Sequence, residues 1–144
     1  MQSLTVPGDL ESLGSIADFI RKVSATAGLD KKTFYHLRLA VDEIATNAIL
    51  HGYRKAGVAG DIKLTADIKD DTLTILLEDT APAYDPLETH TEAQDALDEA
   101  LEERPVGGLG VYLAIKSVDH FQYERVHGRN RNIFVMKRKQ PRAE

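Results

Sequence analysis

Two stretches of alternating apolar and polar residues lie side by side in the middle of the chain, at Asp61–Ile68 and Thr72–Asp79. A period of two places the apolar residues of each stretch on one face, as in a half-buried β-strand. The short segment Lys69-Asp70-Asp71 predicts a turn between them. A sheet with one buried face must be covered by another layer, so this pair predicts a fold in which helices pack on a sheet.

Two amphipathic helices are predicted before these strands. The first runs from about Leu10 to Ala27, with Asp9 as its N-cap and Gly28 at its end. The second runs from about Asp30 to Leu50, where apolar residues recur at steps of three and four. We expect it to end near His51-Gly52. Each helix therefore has an apolar stripe that can cover the sheet.

Further strands are predicted at both ends of the chain. Leu4-Thr5-Val6 is a short candidate, and two more strands, about Asp119–Arg125 and Asn132–Arg138, flank a turn at His127-Gly128. A short helix follows the glycines near residue 108. The order βααββ-loop-αββ predicts one domain over residues 1–144, with an α/β (α+β) two-layer sandwich and helices on one face of the sheet.

The net charge of −5 is unevenly distributed along the chain. The segment Pro86–Glu103 holds seven acidic residues and no Lys or Arg, and without them the net charge would be +2. A nucleic-acid backbone needs a clustered basic face, so direct nucleic-acid binding is disfavoured. Because long connections in compact domains are usually functional or disordered, we expect a flexible lid over about residues 86–106.

Composition also limits the environment of the protein. The chain has no cysteine, which excludes disulfides, thiolate metal sites and cysteine nucleophiles. No apolar run approaches the roughly 20 residues that a membrane-spanning helix needs. The segment Met1–Pro7 lacks the basic and apolar regions of a signal peptide. We therefore expect a soluble cytoplasmic protein.

Two short motifs, about sixty residues apart, together suggest a nucleotide-phosphate site. Glu43 and Asn47 are four residues apart, so both project from one stripe of the second helix. A carboxylate beside a carboxamide oxygen suits one Mg²⁺ ion and a nearby hydroxyl or water. The glycine turn Gly107-Gly108-Leu109-Gly110 opens the short helix and can offer backbone N–H groups to phosphate.

Each motif also has a simpler interpretation. Glu43 and Asn47 taken alone are surface residues of an amphipathic helix, and a lone glycine cluster is usually a loop and a helix cap. Asp79 taken alone is equally well explained as the residue that ends a strand. The nucleotide hypothesis therefore depends on the motifs occurring together.

Three segments occur in the order typical of a known family: Ala40–Tyr53, Asp79–Pro86 and Arg104–Leu113. They resemble the N box, the adenine-binding box and the second glycine box of the small anti-sigma-factor serine kinases. These kinases belong to the GHKL superfamily of ATP-binding proteins, which includes gyrase, Hsp90 and histidine kinases. The resemblance extends from about Leu4 to Lys139. It implies the GHKL (Bergerat) fold with a mixed, mostly antiparallel sheet.

The resemblance also implies roles for individual residues. Glu43 would be the catalytic base that positions a serine hydroxyl or a water, and Asn47 would bind Mg²⁺ through its side-chain oxygen. Asp79 would accept a hydrogen bond from the adenine amino group. Ala81 stands in the adenine-binding box two residues later, where the superfamily usually has glycine.

The second glycine box would bind the phosphates of the nucleotide. Its three glycines would let the loop wrap the phosphates, Leu109 and Val111 would supply backbone amides, and Arg104 would reach the γ-phosphate or a partner. The glycines are Gly107, Gly108 and Gly110. The chemistry implied is phosphoryl transfer, in which positioning and charge stabilisation dominate catalysis.

The function implied is that of an ATP- and Mg²⁺-dependent serine/threonine protein kinase acting as an anti-sigma regulatory factor. Its implied partners are a sigma factor, which it sequesters, and an anti-anti-sigma (STAS-type) protein, which it phosphorylates, and it would form a homodimer. Ala81 and the altered lid motivate an alternative, a partner-switching binding module without kinase activity. A stand-alone ATPase subunit is a third reading.

Overall fold

The computed structural model describes residues 1–86 and 108–138, with the backbone alone at residues 108 and 109. The lid predicted over about residues 86–106 therefore lies outside the described residues, except for Pro86. Arg104 and Gly107 also lie outside them, as does the side chain of Leu109.

A five-stranded sheet forms one layer of the fold. Its strands, in chain order, are β1 (Gln2–Pro7), β2 (Asp61–Ile68), β3 (Thr72–Asp79), β4 (His120–Val126) and β5 (Arg129–Lys137). Their order across the sheet is β1-β2-β3-β5-β4, and every pair of neighbours is antiparallel. The predicted bounds of β2 and β3 and the mostly antiparallel sheet are confirmed. No parallel pair occurs among the described strands, so the sheet is not mixed there.

The hairpin between β4 and β5 is tighter than predicted. His127 and Gly128 both have positive φ, at 51° and 75°. Two central residues with positive φ are typical of the two-residue turn that matches the twist of a hairpin. Pairing therefore continues up to the turn, with Val126 opposite Arg129. As a result β5 begins at Arg129, three residues before its predicted start at Asn132.

Within residues 1–86 and 108–138, three helices cover one face of the sheet. They are α1 (Leu13–Ala27), α2 (Lys31–Asn47) and α3 (Gly108–Lys116). A single 3₁₀ turn, Leu10–Ser12, precedes α1, so the α-helix proper starts three residues later than predicted. Side-chain caps precede the 3₁₀ turn and α2: Asp9, the predicted N-cap, accepts a hydrogen bond from the Glu11 N–H (3.1 Å), and Asp30 accepts one from the Thr33 N–H (2.7 Å).

The core lies between the helices and the inner face of the sheet. Its fully buried side chains come from both layers and include Ile20, Leu37, Ile44, Leu64, Ile75, Leu77 and Phe134. The predicted two-layer α+β sandwich is confirmed. Within the described ranges, no helix has the length and apolar character required to cross a membrane.

The second helix does not end at Gly52, where the sequence predicted its end. After Asn47 it continues as a π-helix over Ala48–Arg54, which we call the π segment. Such turns are rare and frequently occur at functional sites. This segment brings Gly52 and Tyr53 against the chain that follows β3.

Candidate functional site

One small cavity lies where α2, the π segment, the end of β3 and the start of β5 meet. Its walls contain Asn47 and Asp79, two of the predicted site residues, which are 32 positions apart in the chain and on different layers of the fold. Its lining residues are Ile44, Asn47, Ala48, Gly52, Asp79, Ala81, Tyr84, Pro86, Asn130 and Asn132. The fold thus brings the predicted N box and adenine-binding box to one cavity.

Asp79 is a buried carboxylate with one oxygen fully engaged. Its Oδ1 accepts a hydrogen bond from the Ala81 N–H (3.0 Å) and another from Asn130 Nδ2 (2.8 Å). None of the described residues donates to Oδ2. Burial raises the pKa of Asp79, although these two hydrogen bonds and the positive charge of Arg125 oppose the shift. Oδ2 is therefore the oxygen that can accept from a ligand in the cavity.

Asn130 holds the chain after β3 in place. Its Nδ2 donates to the carbonyl oxygens of Ala81 (3.2 Å) and Pro82 (3.1 Å), in addition to Asp79. Its Oδ1 accepts from the Tyr123 hydroxyl (2.5 Å) and the Tyr84 N–H (3.2 Å). Because both polar atoms of the carboxamide are satisfied, Asn130 fixes the adenine-binding box relative to the sheet.

Asn132 lies two residues further along β5 and faces the same cavity. It is only 3% exposed, and its Oδ1 has no hydrogen-bond partner among the described residues. A buried polar atom without a partner costs free energy, so each such atom in a native fold needs an explanation.

The π segment contacts the adenine-binding box at three consecutive positions. A Cβ at Gly52 would lie 2.9 Å from the Cβ of Ala81, so this glycine lets the two segments approach closely. The Tyr53 hydroxyl accepts a hydrogen bond from the Thr80 N–H (2.9 Å) and donates to a carbonyl of β2. The His51 and Tyr84 rings stack with centroids 6.2 Å apart. The π segment thus holds the predicted adenine-binding box in place from the side of the helical layer.

Glu43 lies one helical turn before Asn47, against α3. A Cβ at Gly110 would stand 2.7 Å from Glu43 Oε2, which is closer than real Cβ contacts allow. Glu43 is half-buried, and burial raises its pKa, with the neighbouring Asp42 charge adding to the shift. None of the described residues donates a hydrogen bond to its carboxylate. Glu43 is therefore a half-buried carboxylate whose position depends on a glycine of the predicted second glycine box.

The other residues of the second glycine box are placed only in part. The helix α3 starts at Gly108, and the backbone N–H groups of its first turn have no partners inside the helix. The side chain of Val111 is fully buried in the core, so only its backbone is available to a ligand. The phosphate-binding roles of Arg104, Gly107, Gly108, Leu109 and Val111 stay predictions.

We expect Gly110→Ala to lower the phosphoryl transfer that the sequence resemblance implies by about 10- to 100-fold, because the added methyl group displaces the Glu43 carboxylate and small misplacements are costly in catalysis. ATP affinity should change by no more than about threefold, because Gly110 is not a lining residue of the cavity and alanine keeps the helical backbone N–H through which this position would contact a phosphate. Steady-state kinetics with a protein acceptor would measure both quantities.

Gly14→Ala is the matched control. Gly14 lies in α1, and no atom outside its own helix backbone and chain neighbours comes within 4 Å of the point where an alanine Cβ would sit. Alanine there should leave transfer unchanged and stabilise the helix by about 0.5–1 kcal/mol. Equal effects of the two substitutions would contradict the role given to Gly110.

The cavity is small. Its volume is about 10 Å³, room for about one water, whereas a cavity that binds a benzene-sized ring measures about 150 Å³. Three of its lining residues, Ala81, Tyr84 and Pro86, belong to the segment after β3. A purine is larger than this space, so we expect the segment after β3 to move outward when a nucleotide binds.

Sequence reasoning missed the contribution of β4 and β5 to the site. Asn130 and Asn132 share a face of β5 with Phe134 and Met136, which are buried. The alternation of β5 thus continues from apolar core residues into two amides at one end of the strand. Polar residues on the core-facing side of a strand are the signal that would have identified them, together with Tyr123 and Arg125 on the neighbouring strand.

Comparison with known proteins identifies the family to which this geometry corresponds. The family model for the histidine kinase-like ATPase domain matches residues 6–138. The serine-protein kinase RsbW of Staphylococcus epidermidis is 28% identical over 117 residues, which cover 81% of this chain and 74% of that protein. The serine-protein kinase RsbW of Bacillus licheniformis is 26% identical over 108 residues, covering 74% and 67% of the two chains.

Proposed function

The chain belongs to the histidine kinase-like ATPase domain family, and from this we propose that it is an ATP-dependent serine/threonine protein kinase that acts as an anti-sigma regulatory factor. The family gives the use of ATP, and the names of the relatives support transfer to a protein serine. The observation that carries the proposal is the meeting of three separated segments. Asn47 and Asp79 line one cavity, and Glu43 of the same helix contacts Gly110.

Asp79 is proposed to bind the adenine base. Its Oδ1 is held by the Ala81 N–H and by Asn130, which fixes the rotamer and leaves Oδ2 to accept from the exocyclic amino group. An ionised oxygen makes a stronger hydrogen bond than a neutral one, so this contact would contribute much of the base affinity.

Asn47 is proposed to hold Mg²⁺ together with the triphosphate. Among the described residues there is no group of three or more His, Asp or Glu side chains that could hold a metal by itself. Protein Mg²⁺ sites of this kind use one or two side-chain oxygens and complete their coordination with phosphate oxygens and water. The single carboxamide of Asn47 fits that arrangement. When bound, Mg²⁺ would neutralise charge on the phosphoryl oxygens.

Glu43 is proposed to be the catalytic base. It lies one turn before Asn47 on the same stripe of α2, so a triphosphate held at Asn47 would lie near it. Its burial and the Asp42 charge move its pKa upward, towards the range in which a carboxylate accepts a proton most effectively. We propose that it accepts the proton of an incoming serine hydroxyl. Arg104, Gly107, Gly108, Gly110, Leu109 and Val111 are proposed to surround the phosphates.

The proposed protein partners are a sigma factor, which the kinase would sequester, and an anti-anti-sigma (STAS-type) protein, which it would phosphorylate. We further propose a homodimer that works in the cytoplasm. The strand β1 lies at one edge of the sheet with its outer backbone groups unpaired by any described strand, which leaves it able to join another chain.

Incubation of the chain with γ-labelled ATP, Mg²⁺ and a cognate anti-anti-sigma protein tests the proposal. We expect label on a serine of the partner, and none when Mg²⁺ is removed with a chelator. Complex formation without label would instead support the nucleotide-responsive binding module. Repeated release of labelled phosphate in the absence of any acceptor would support a stand-alone ATPase.

A further inference from the structure

The carboxamide of Asn132 has no structural role that the described residues explain. Asn132 lies on the inner face of β5, opposite Leu77 of β3 and Tyr123 of β4. It is 3% exposed, and its Oδ1 is buried without a hydrogen-bond partner among the described residues. The same side chain lines the cavity that contains Asp79 and Asn47.

Asn130 provides an internal comparison. It is the same residue type on the same face of the same strand, and it is equally buried. Its two polar atoms are engaged by Asp79, by backbone groups and by Tyr123. The structure therefore accounts for one buried amide of β5 by internal hydrogen bonds and leaves the other facing the cavity. Because an unsatisfied buried polar atom is costly, its natural partner is a donor that enters the cavity.

We propose that Asn132 is a specificity residue that reads the edge of the adenine base. This inference rests on the proposed function, because it requires a nucleotide in this cavity. Its Oδ1 accepts one hydrogen of the exocyclic amino group, while Asp79 Oδ2 accepts the other. The Asn132 amide nitrogen donates to a ring nitrogen beside that amino group. A carboxamide matches this donor–acceptor edge of adenine in a bidentate manner.

The two acceptors together discriminate between purines. The adenine amino group offers two hydrogens, one for each oxygen. A 6-oxo purine has a carbonyl oxygen in place of the amino group. This acceptor would face the acceptor oxygen of Asp79, and no hydrogen bond could form between them. Discrimination of this kind is strong when a site is built to hydrogen-bond a group, because a ligand that lacks the group leaves buried polar atoms unpaired.

Titration calorimetry of Asn132→Leu with two nucleotides tests the proposal. Leucine has nearly the shape of asparagine but no polar atoms. We expect about a 10- to 100-fold loss of affinity for ATP and a smaller loss, about 3- to 10-fold, for purine riboside triphosphate, which lacks the amino group but keeps the ring nitrogen that Asn132 contacts. Asn132→Ala gives the same comparison should leucine prevent folding.

Stability in the absence of nucleotide provides a second measurement. Because Asn132→Leu removes an unsatisfied buried atom, we expect the Tm of the free protein to rise by about 2–4 °C. Asn130→Leu is the matched control, and its Tm should fall, since it breaks the hydrogen bonds to Asp79 and Tyr123.

The possible failures are distinguishable. Equal losses for ATP and for purine riboside triphosphate would show that Asn132 acts only through the shape of the cavity, and unchanged ATP affinity would show that it does not contact the base. Either result overturns this inference alone. If the wild-type chain binds neither nucleotide, the proposed function fails, and the base-reading role of Asn132 fails with it.

Discussion

Replacing Glu43 by glutamine is expected to lower phosphoryl transfer to a protein serine by about 10²- to 10⁴-fold, the usual contribution of a general base. Glutamine keeps the size of the side chain and its packing against Gly110 but cannot accept the proton. ATP affinity should stay within about threefold of wild type, because Glu43 does not line the cavity that holds Asp79. Single-turnover transfer and ATP titration measure the two effects separately.

The pH dependence of phosphoryl transfer by the wild-type enzyme should report the ionisation of Glu43. A general base must be ionised, so transfer falls as the pH drops through the pKa of Glu43. Because burial and the Asp42 charge raise that pKa, the fall in rate on the acidic side of the pH–rate profile, its acidic limb, should occur above pH 4.5, the ordinary pKa of a glutamate. The pH–rate profile of Glu43→Gln should lack this acidic limb.

Asp42→Asn is the matched control, since Asp42 is the exposed neighbour on the same helix. Its transfer rate at neutral pH should stay within about threefold of wild type. Its acidic limb should move to slightly lower pH, because one of the charges that raises the Glu43 pKa has been removed. Transfer at the wild-type rate by Glu43→Gln would refute the assignment of the base.

Replacing Asp79 by asparagine is expected to weaken ATP binding by about 10- to 100-fold, the equivalent of one hydrogen bond to a charged group. The fold should not be weakened at pH 7. Burial raises the pKa of Asp79, so the folded state holds the proton to higher pH than the unfolded state does. The ionised form therefore costs stability at neutral pH, and asparagine removes that cost.

The sign of the pH effect provides a further check. The cost of ionising Asp79 develops as the pH rises from the ordinary value of 3.8 through the raised pKa of the folded state. The Tm of Asp79→Asn should thus equal or exceed that of wild type at pH 7, and its relative advantage should shrink as the pH falls towards 4.

Asp67→Asn is the control for Asp79→Asn, because Asp67 lies on the neighbouring strand β2 and its side chain forms a 4.0 Å ion pair with Lys69. It should leave ATP affinity unchanged. If Asp79→Asn bound ATP as tightly as wild type did, Asp79 would have no part in base recognition.

The sequence alone was sufficient for the elements whose pattern is local. The bounds of β2 and β3 follow from strict alternation, and α2 starts at Lys31, one residue after its predicted start. The predicted end of α2 was wrong. The helix continues as a π-helix, and this continuation depends on contacts that Gly52 and Tyr53 make with the chain beyond β3. Such contacts join distant parts of the chain, so no local pattern encodes them.

The candidate site was predictable only in part for the same reason. Glu43, Asn47 and Asp79 were identified from motif order, and the fold brings Asn47 and Asp79 to one cavity. Asn130 and Asn132 were missed because the strand start was placed at Asn132, which concealed that both amides continue the inner face of β5. The small size of the cavity, which Tyr84 and Pro86 help to line, depends on tertiary packing and has no signal in the sequence.

A crystal structure with Mg²⁺ and a non-hydrolysable ATP analogue tests the central claim most directly. We expect the segment after β3 to move outward, and the adenine amino group to contact Asp79 Oδ2. The triphosphate should extend past Asn47 towards the start of α3, with the γ-phosphate facing Glu43. A nucleotide bound at another surface, with the cavity between Asp79 and Asn132 still closed, would contradict the account.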